Sequence, residues 1–210
     1  MMMPAVWDLG YAALMFFMWW VMMIAMMLPS ATPMVLLFAA VNRRQKEKAN
    51  PFVPVSVFVF AYLVVWAGFS MFAVATQWAL ERTALLNPML ESASSLFGGA
   101  LLIAAGIYQL TPLKQACLKH CRSPLQFVMT RWRNGTAGAL RMGIEHGAYC
   151  VGCCWFLMGL LFFGGVMNLY WIIGLALIVL MEKTIPLEHW ATRLSGAGLI
   201  IWGIAVATGS

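Results

Sequence analysis

Six apolar stretches, at about 11–41, 53–80, 94–112, 139–166, 168–182 and 194–209, alternate with short polar connections. A predominantly apolar run of about 20 residues crosses the roughly 30 Å hydrocarbon core of a bilayer. Inside lipid only a helix or a closed barrel satisfies every backbone N–H and C=O. The runs carry no alternating strand pattern, so the expected fold is an all-α polytopic membrane bundle of about six transmembrane helices in a single domain spanning 1–210. Only 10% of the residues are charged, whereas a soluble domain carries about 25%. The first stretch contains "LPSATP", where Pro29 and Pro33 are expected to kink or interrupt a helix. The short fifth stretch joins the fourth through "GGVMNLYW", which predicts a tight helical hairpin. The opening "MMMPAVWDLG" lacks a basic segment and contains Asp8, so the first stretch is expected to be a retained span rather than a cleaved leader.

The net charge of +6 does not point to nucleic acid, because the bases sit where topology requires them. Lys and Arg concentrate in "NRRQKEKANP", "LKQACLKHCRSPLQFVMTRWRNG" and "EKTIPLEHWATRLS", while "ERTALLNPMLESAS" carries Arg82 alone. The positive-inside rule then places the basic loops in the cytoplasm and both termini outside. "TRWRNGTAGALRMG" offers an alternative, an interfacial amphipathic helix anchored by Trp132.

The chemistry lies in "EHGAYCVGCC", inside the fourth stretch. At about 100° per residue, Gly143, His146, Gly147, Cys150, Cys153 and Cys154 share one helical face. His146–Cys150 and Cys150–Cys154 are i,i+4 pairs, a spacing at which one helix offers several donors to one ion. Gly143 and Gly147 on that face allow a second helix to come close. Cys117 and Cys121, again i,i+4, follow the third stretch, with His120 beside them. The topology puts this pair and the fourth-stretch cluster at the same end of the membrane, so a site between spans three and four is expected. Against it stands the ordinary use of cysteine as a small apolar filler.

Glu145 either reaches this site or pairs with Arg141 one turn earlier, and Glu182, beside Lys183, poses the same alternative. His189 reads as interfacial, and His120 either as a solvated residue or as a further ligand. In the first stretch Met15, Met18, Met22 and Met26 form one stripe, with Met23 and Met27 on the adjacent face; the Trp19–Trp20 pair reads as packing. Thioethers bind soft ions without adding a buried charge, although an apolar stripe is also ordinary packing. Thiolate, imidazole and thioether together favour Cu(I), with zinc as the second candidate. Haem attachment, a phosphate loop and a metalloprotease motif are absent from the sequence.

The segments Met18–Pro33, Tyr108–Pro124, Gly143–Met158 and Gly165–Trp171, with Glu182–Lys183, resemble the predicted metal-binding integral membrane proteins of bacteria, the family called domain of unknown function 2182. The resemblance implies a multi-pass protein of the bacterial inner (plasma) membrane with a metal site at Cys117, Cys121, His146, Cys150, Cys153 and Cys154. It adds Tyr108, Gln109 and Asn168 as polar groups around that site.

The expected function is binding and delivery or export of a soft metal, most simply Cu(I), rather than catalysis. The partners are the lipid bilayer and a metal-donating or metal-accepting membrane enzyme or transporter. Met18, Met22, Met26, His120, Glu145 and Glu182 are its secondary site residues. Two other readings compete: a membrane thiol–disulfide oxidoreductase using the cysteine pairs, and a structural accessory subunit of a larger membrane complex.

Overall fold

The computed structural model describes residues 7–47, 53–87, 90–185 and 190–209, with side chains omitted at 45–47. His189 lies outside these residues. Among them the chain is all-α: α1 (Leu9–Glu47), α2 (Val55–Arg82), α3 (Ser95–Leu110), α4 (Pro112–Arg122), α5 (Pro124–Arg131), α6 (Gly135–Gly159), α7 (Leu161–Gly164), α8 (Leu169–Thr184) and α9 (Trp190–Thr208). Four helical stretches are long and apolar enough to cross a membrane, 9–44, 55–82, 135–164 and 190–208, and a fifth counts if the bent pair α3–α4 is one span. The expected six passes are thus matched by four or five among the described residues; α3 and α8, with 16 residues each, are too short to qualify singly.

α1 continues through Pro29 and Pro33 instead of breaking there. Each proline removes a backbone donor, and hydroxyls in the same turns supply local bonds: Ser30 Oγ donates to the Met27 carbonyl (2.8 Å) and Thr32 Oγ1 to that of Leu28 (2.9 Å). Trp19 is fully buried; its indole donates to Gln77 Oε1 on α2 at 2.9 Å, while that of Trp20 donates to the Leu63 carbonyl at 3.1 Å. The tryptophan pair thus fastens α1 to α2.

Helices α3 and α9 run antiparallel with glycine against glycine. A Cβ on Gly99 would sit 2.6 Å from the Gly203 carbonyl, and one on Gly106 2.7 Å from that of Gly196. Small residues let helix backbones approach closely in lipid, where no solvent-driven collapse pulls helices together.

The ends of the elements sort into two groups. Trp7 bonds Glu81 (2.7 Å), Glu91 packs over Gly165, Gly98 abuts Phe163, and Gly99 abuts Ala207. These contacts gather the N-terminal end of α1, the α2–α3 connection, the α7–α8 turn and the C-terminal end of α9 at one end of the bundle. At the other end, Asn42 on α1 bonds the backbone of Val53 through its side chain, and Trp132, ahead of α6, packs on Phe38 of α1 at 5.5 Å between ring centroids. The basic residues Arg43, Arg44, Arg131 and Arg133 belong to this second end.

The interfacial-helix alternative over 130–143 does not form. α5 ends at Arg131, residues 132–134 are non-helical, and α6 begins at Gly135 with a positive φ of 79°. Trp132 turns its indole to Asn134 Oδ1 (2.8 Å).

Candidate functional site

Pro112 begins α4 where an N–H is not needed, and the Thr111 hydroxyl accepts from the Lys114 N–H at 3.3 Å. The chain bends by 66° at this point, which lays α4 against α6 rather than letting α3 continue. The bend brings Cys117 to Gly152, where a Cβ would come within 2.9 Å of its sulfur. Cys121 Sγ approaches Cys153 Sγ to 3.9 Å. The Tyr108 hydroxyl donates to the Gly152 carbonyl and pins α3 to the same turn of α6.

The glycine half of the α6 face does not meet α4, as the spacing suggested; it meets α2. A Cβ on Gly143 would run into the Phe58 carbonyl and the Ala61 methyl, and one on Gly147 would lie 2.9 Å from Val65 Cβ. This contact brings Tyr62 of α2 to the cluster, its hydroxyl 3.1 Å from Cys150 Sγ. Cys153 and Cys154 both donate to the Cys150 carbonyl, at 3.1 and 3.0 Å. All three thiols on α6 are buried, and all five cysteines are free.

The methionine that reaches the thiols is Met27, from the face adjacent to the Met18–Met22–Met26 stripe. Its Sδ lies 3.9 Å from Cys154 Sγ. Met18 and Met22 are partly buried against the core, and Met26 is buried within it.

One member of the cluster figures in the sequence only as the neighbour of Glu182 and is not among the expected site residues. Lys183 of α8 is buried, and its Nζ donates to Cys150 Sγ at 2.9 Å and to Ser30 Oγ at 3.3 Å, with Met27 Sδ at 3.9 Å. No salt bridge among the described residues includes it. Its neighbour Glu182 points elsewhere. Adjacent helical residues diverge by about 100°, so the two cannot share a partner easily. Glu182 pairs instead with the fully buried Lys114 at 2.7 Å and accepts from Gln109 at 3.0 Å. Gln109 also bonds Lys114 and donates to Ser195 at 3.2 Å, so these polar groups tie α3, α4, α8 and α9 together.

The other nominated residues distribute as follows. Glu145 sits among arginines, with Arg141 at 3.2 Å, Arg131 at 3.4 Å and Arg133 at 3.9 Å. His120 is half-buried and stacks on Tyr149 with ring centroids 4.1 Å apart. His146 is buried among Phe58, Tyr62 and Phe127, and its Nδ1 has no hydrogen-bond partner. Asn168 caps α8, accepting from the Trp171 N–H at 3.4 Å.

The result is a buried sulfur cluster drawn from three helices, Cys121 from α4, Cys150, Cys153 and Cys154 from α6 and Met27 from α1, with an ammonium group from a fourth. Among the described residues, no three His, Cys, Asp or Glu side chains already converge to hold an ion. The donor set is nonetheless soft throughout, the type that favours monovalent copper over hard cations.

A family model described as copper chaperone matches residues 16–206. No curated protein and no solved structure matches the chain.

Proposed function

Since the chain belongs to the copper chaperone family, we propose that it is a membrane-embedded carrier that takes Cu(I) into its sulfur cluster and delivers it to a partner protein. The observation that carries this reading is the approach of thiols from α4 and α6 and a thioether from α1 inside the bundle, where the α6 thiols are buried. Such donors bind a soft monovalent ion strongly, and none of them is a hard oxygen. Binding releases protons from thiols, so loading depends on reducing conditions and on pH.

In this reading Cys121 and Cys153 supply the two thiolate ligands, with Cys150, Cys154 and Met27 as exchange donors. Cys117 lies next along α4, towards the α3 end, and offers a stepping point. Met23, one turn before Met27 and also buried, continues a sulfur path towards the base-poor end of the bundle. The protein is multi-pass in the bacterial inner membrane, with its base-rich end in the cytoplasm and both termini outside. His146, one turn from Cys150, lies behind Tyr62 and borders the cluster.

The test is copper per chain in detergent-purified protein under reducing conditions, for wild type, the Cys150→Ser/Cys153→Ser pair and Glu145→Gln. We expect near-stoichiometric copper in wild type and Glu145→Gln, and none in the cysteine pair. Wild type that stays metal-free after exposure to Cu(I) would refute the reading.

The 3.9 Å approach of Cys121 and Cys153 also supports a thiol–disulfide reading, since a modest shift closes it to a bond of about 2.05 Å. A reversible Cys121–Cys153 disulfide that cycles with a quinone, in a metal-free protein, would favour that alternative.

A further inference from the structure

We infer that Lys183 is the built-in counter-ion of the copper site, the group that makes a two-thiolate Cu(I) complex electrically neutral inside the membrane. This rests on the copper-carrier reading and adds to it a residue which determines how tightly the ion is held.

The charge arithmetic is simple. Two thiols that bind Cu(I) release two protons to water, and the resulting complex of one monovalent cation and two thiolates carries a single negative charge. A lone buried charge is expensive in a low-dielectric interior unless an opposite charge lies beside it. Lys183 meets that need in position and in number. Its Nζ is 2.9 Å from Cys150 Sγ, and the side chain is buried. The nearby carboxylate that would otherwise neutralise it, Glu182, is committed to Lys114 at 2.7 Å. The remaining partners of the ammonium, Ser30 Oγ and Met27 Sδ, are neutral. Tyr62 from α2 and Cys121 from α4, also packed around the cluster, carry no positive charge, and the other buried lysine, Lys114, is already paired with Glu182.

An ammonium among thiols has two opposite readings, and they predict opposite signs. As a counter-ion it stays beside the loaded site and strengthens it. As a competitor it occupies the ion's place and must be expelled, so that its removal tightens binding. The geometry points to the counter-ion. Lys183 touches Cys150 from the α8 side, whereas Cys121 approaches Cys153 from α4, so the ammonium and the inter-helix thiol pair engage different cysteines.

The experiment is a Cu(I) competition titration against a chelator of known affinity, on full-length detergent-purified protein under reducing conditions. Wild type is compared with Lys183→Gln and Lys183→Arg. Lys183→Gln removes the charge and adds no sulfur donor; if it fails to accumulate as a monodisperse protein, Lys183→Leu takes its place. We expect Lys183→Gln to bind Cu(I) roughly 100-fold more weakly, the scale of leaving one buried charge uncompensated. Lys183→Arg should retain most of the affinity. Unchanged or tighter binding by Lys183→Gln would overturn the inference while leaving the carrier reading intact. Wild type that binds no Cu(I) would overturn both.

Discussion

Met27 brings its sulfur to Cys154, while Met18 and Met22, one face away, pack against the core. The two methionine faces are equally apolar in sequence, and periodicity says which residues share a face without saying which face looks inward. The cysteines were readable because all five fall at i,i+4 or i,i+3 spacings, three of them inside an apolar run. Lys183 was not readable as a site residue, since a lysine at the end of an apolar run looks like a snorkelling anchor. Its divergence from Glu182 was an available signal, because neighbours on a helix face different ways. At this scale we predict that Met27→Leu, which preserves packing, speeds copper loss to a chelator by roughly ten- to 100-fold, whereas Met18→Leu leaves the release rate unchanged. Stopped-flow transfer to a coloured Cu(I) chelator reads the difference. Glu145, held among Arg141, Arg131 and Arg133, is expected to tolerate Glu145→Gln without any change in that rate.

Two features of individual helices carry the site without touching the ion. The first is the glycine crossing of α3 and α9, where Gly106 and Gly196 leave no room for a side chain. Gly106→Leu should destabilise the protein by about 1–3 kcal/mol through overpacking, seen as an earlier thermal unfolding transition in detergent. Gly174, which has open space around its Cα, should accept Ala with no comparable loss. The second is the Lys114–Glu182 pair, which locks α4 to α8. Removing one buried partner costs about 3–5 kcal/mol, so Glu182→Leu alone should be poorly folded. The Lys114→Met/Glu182→Leu double variant should recover much of the stability and still load copper. The glycine crossing was hidden in the sequence, since Gly99, Gly106, Gly196 and Gly203 lie in two distant helices and only their mutual approach gives them meaning. The α4 bend was partly visible as Pro112 after a threonine, but its consequence for Cys117 and Cys121 depends on where α6 lies.

Across the whole molecule, the all-α class followed from hydropathy, and the number of passes is the part that length alone leaves open. α3 and α8 are too short to qualify singly, yet the chain ends and the base-poor connections meet at one end of the bundle. Among the described residues the long apolar helices number four, or five if α3–α4 is one span, and the C-terminal ends of α3 and α8 meet the middle of α6, through Tyr108 at Gly152 and Lys183 at Cys150. Reporter fusions at the C-terminal end and within the 42–51 connection are expected to report opposite sides, with the connection cytoplasmic. The most direct test of the central claim is X-ray absorption at the copper edge on protein loaded with Cu(I). We predict a first shell of sulfur atoms that loses sulfur in Cys153→Ser. A first shell of oxygen and nitrogen, unchanged by that substitution, would contradict it.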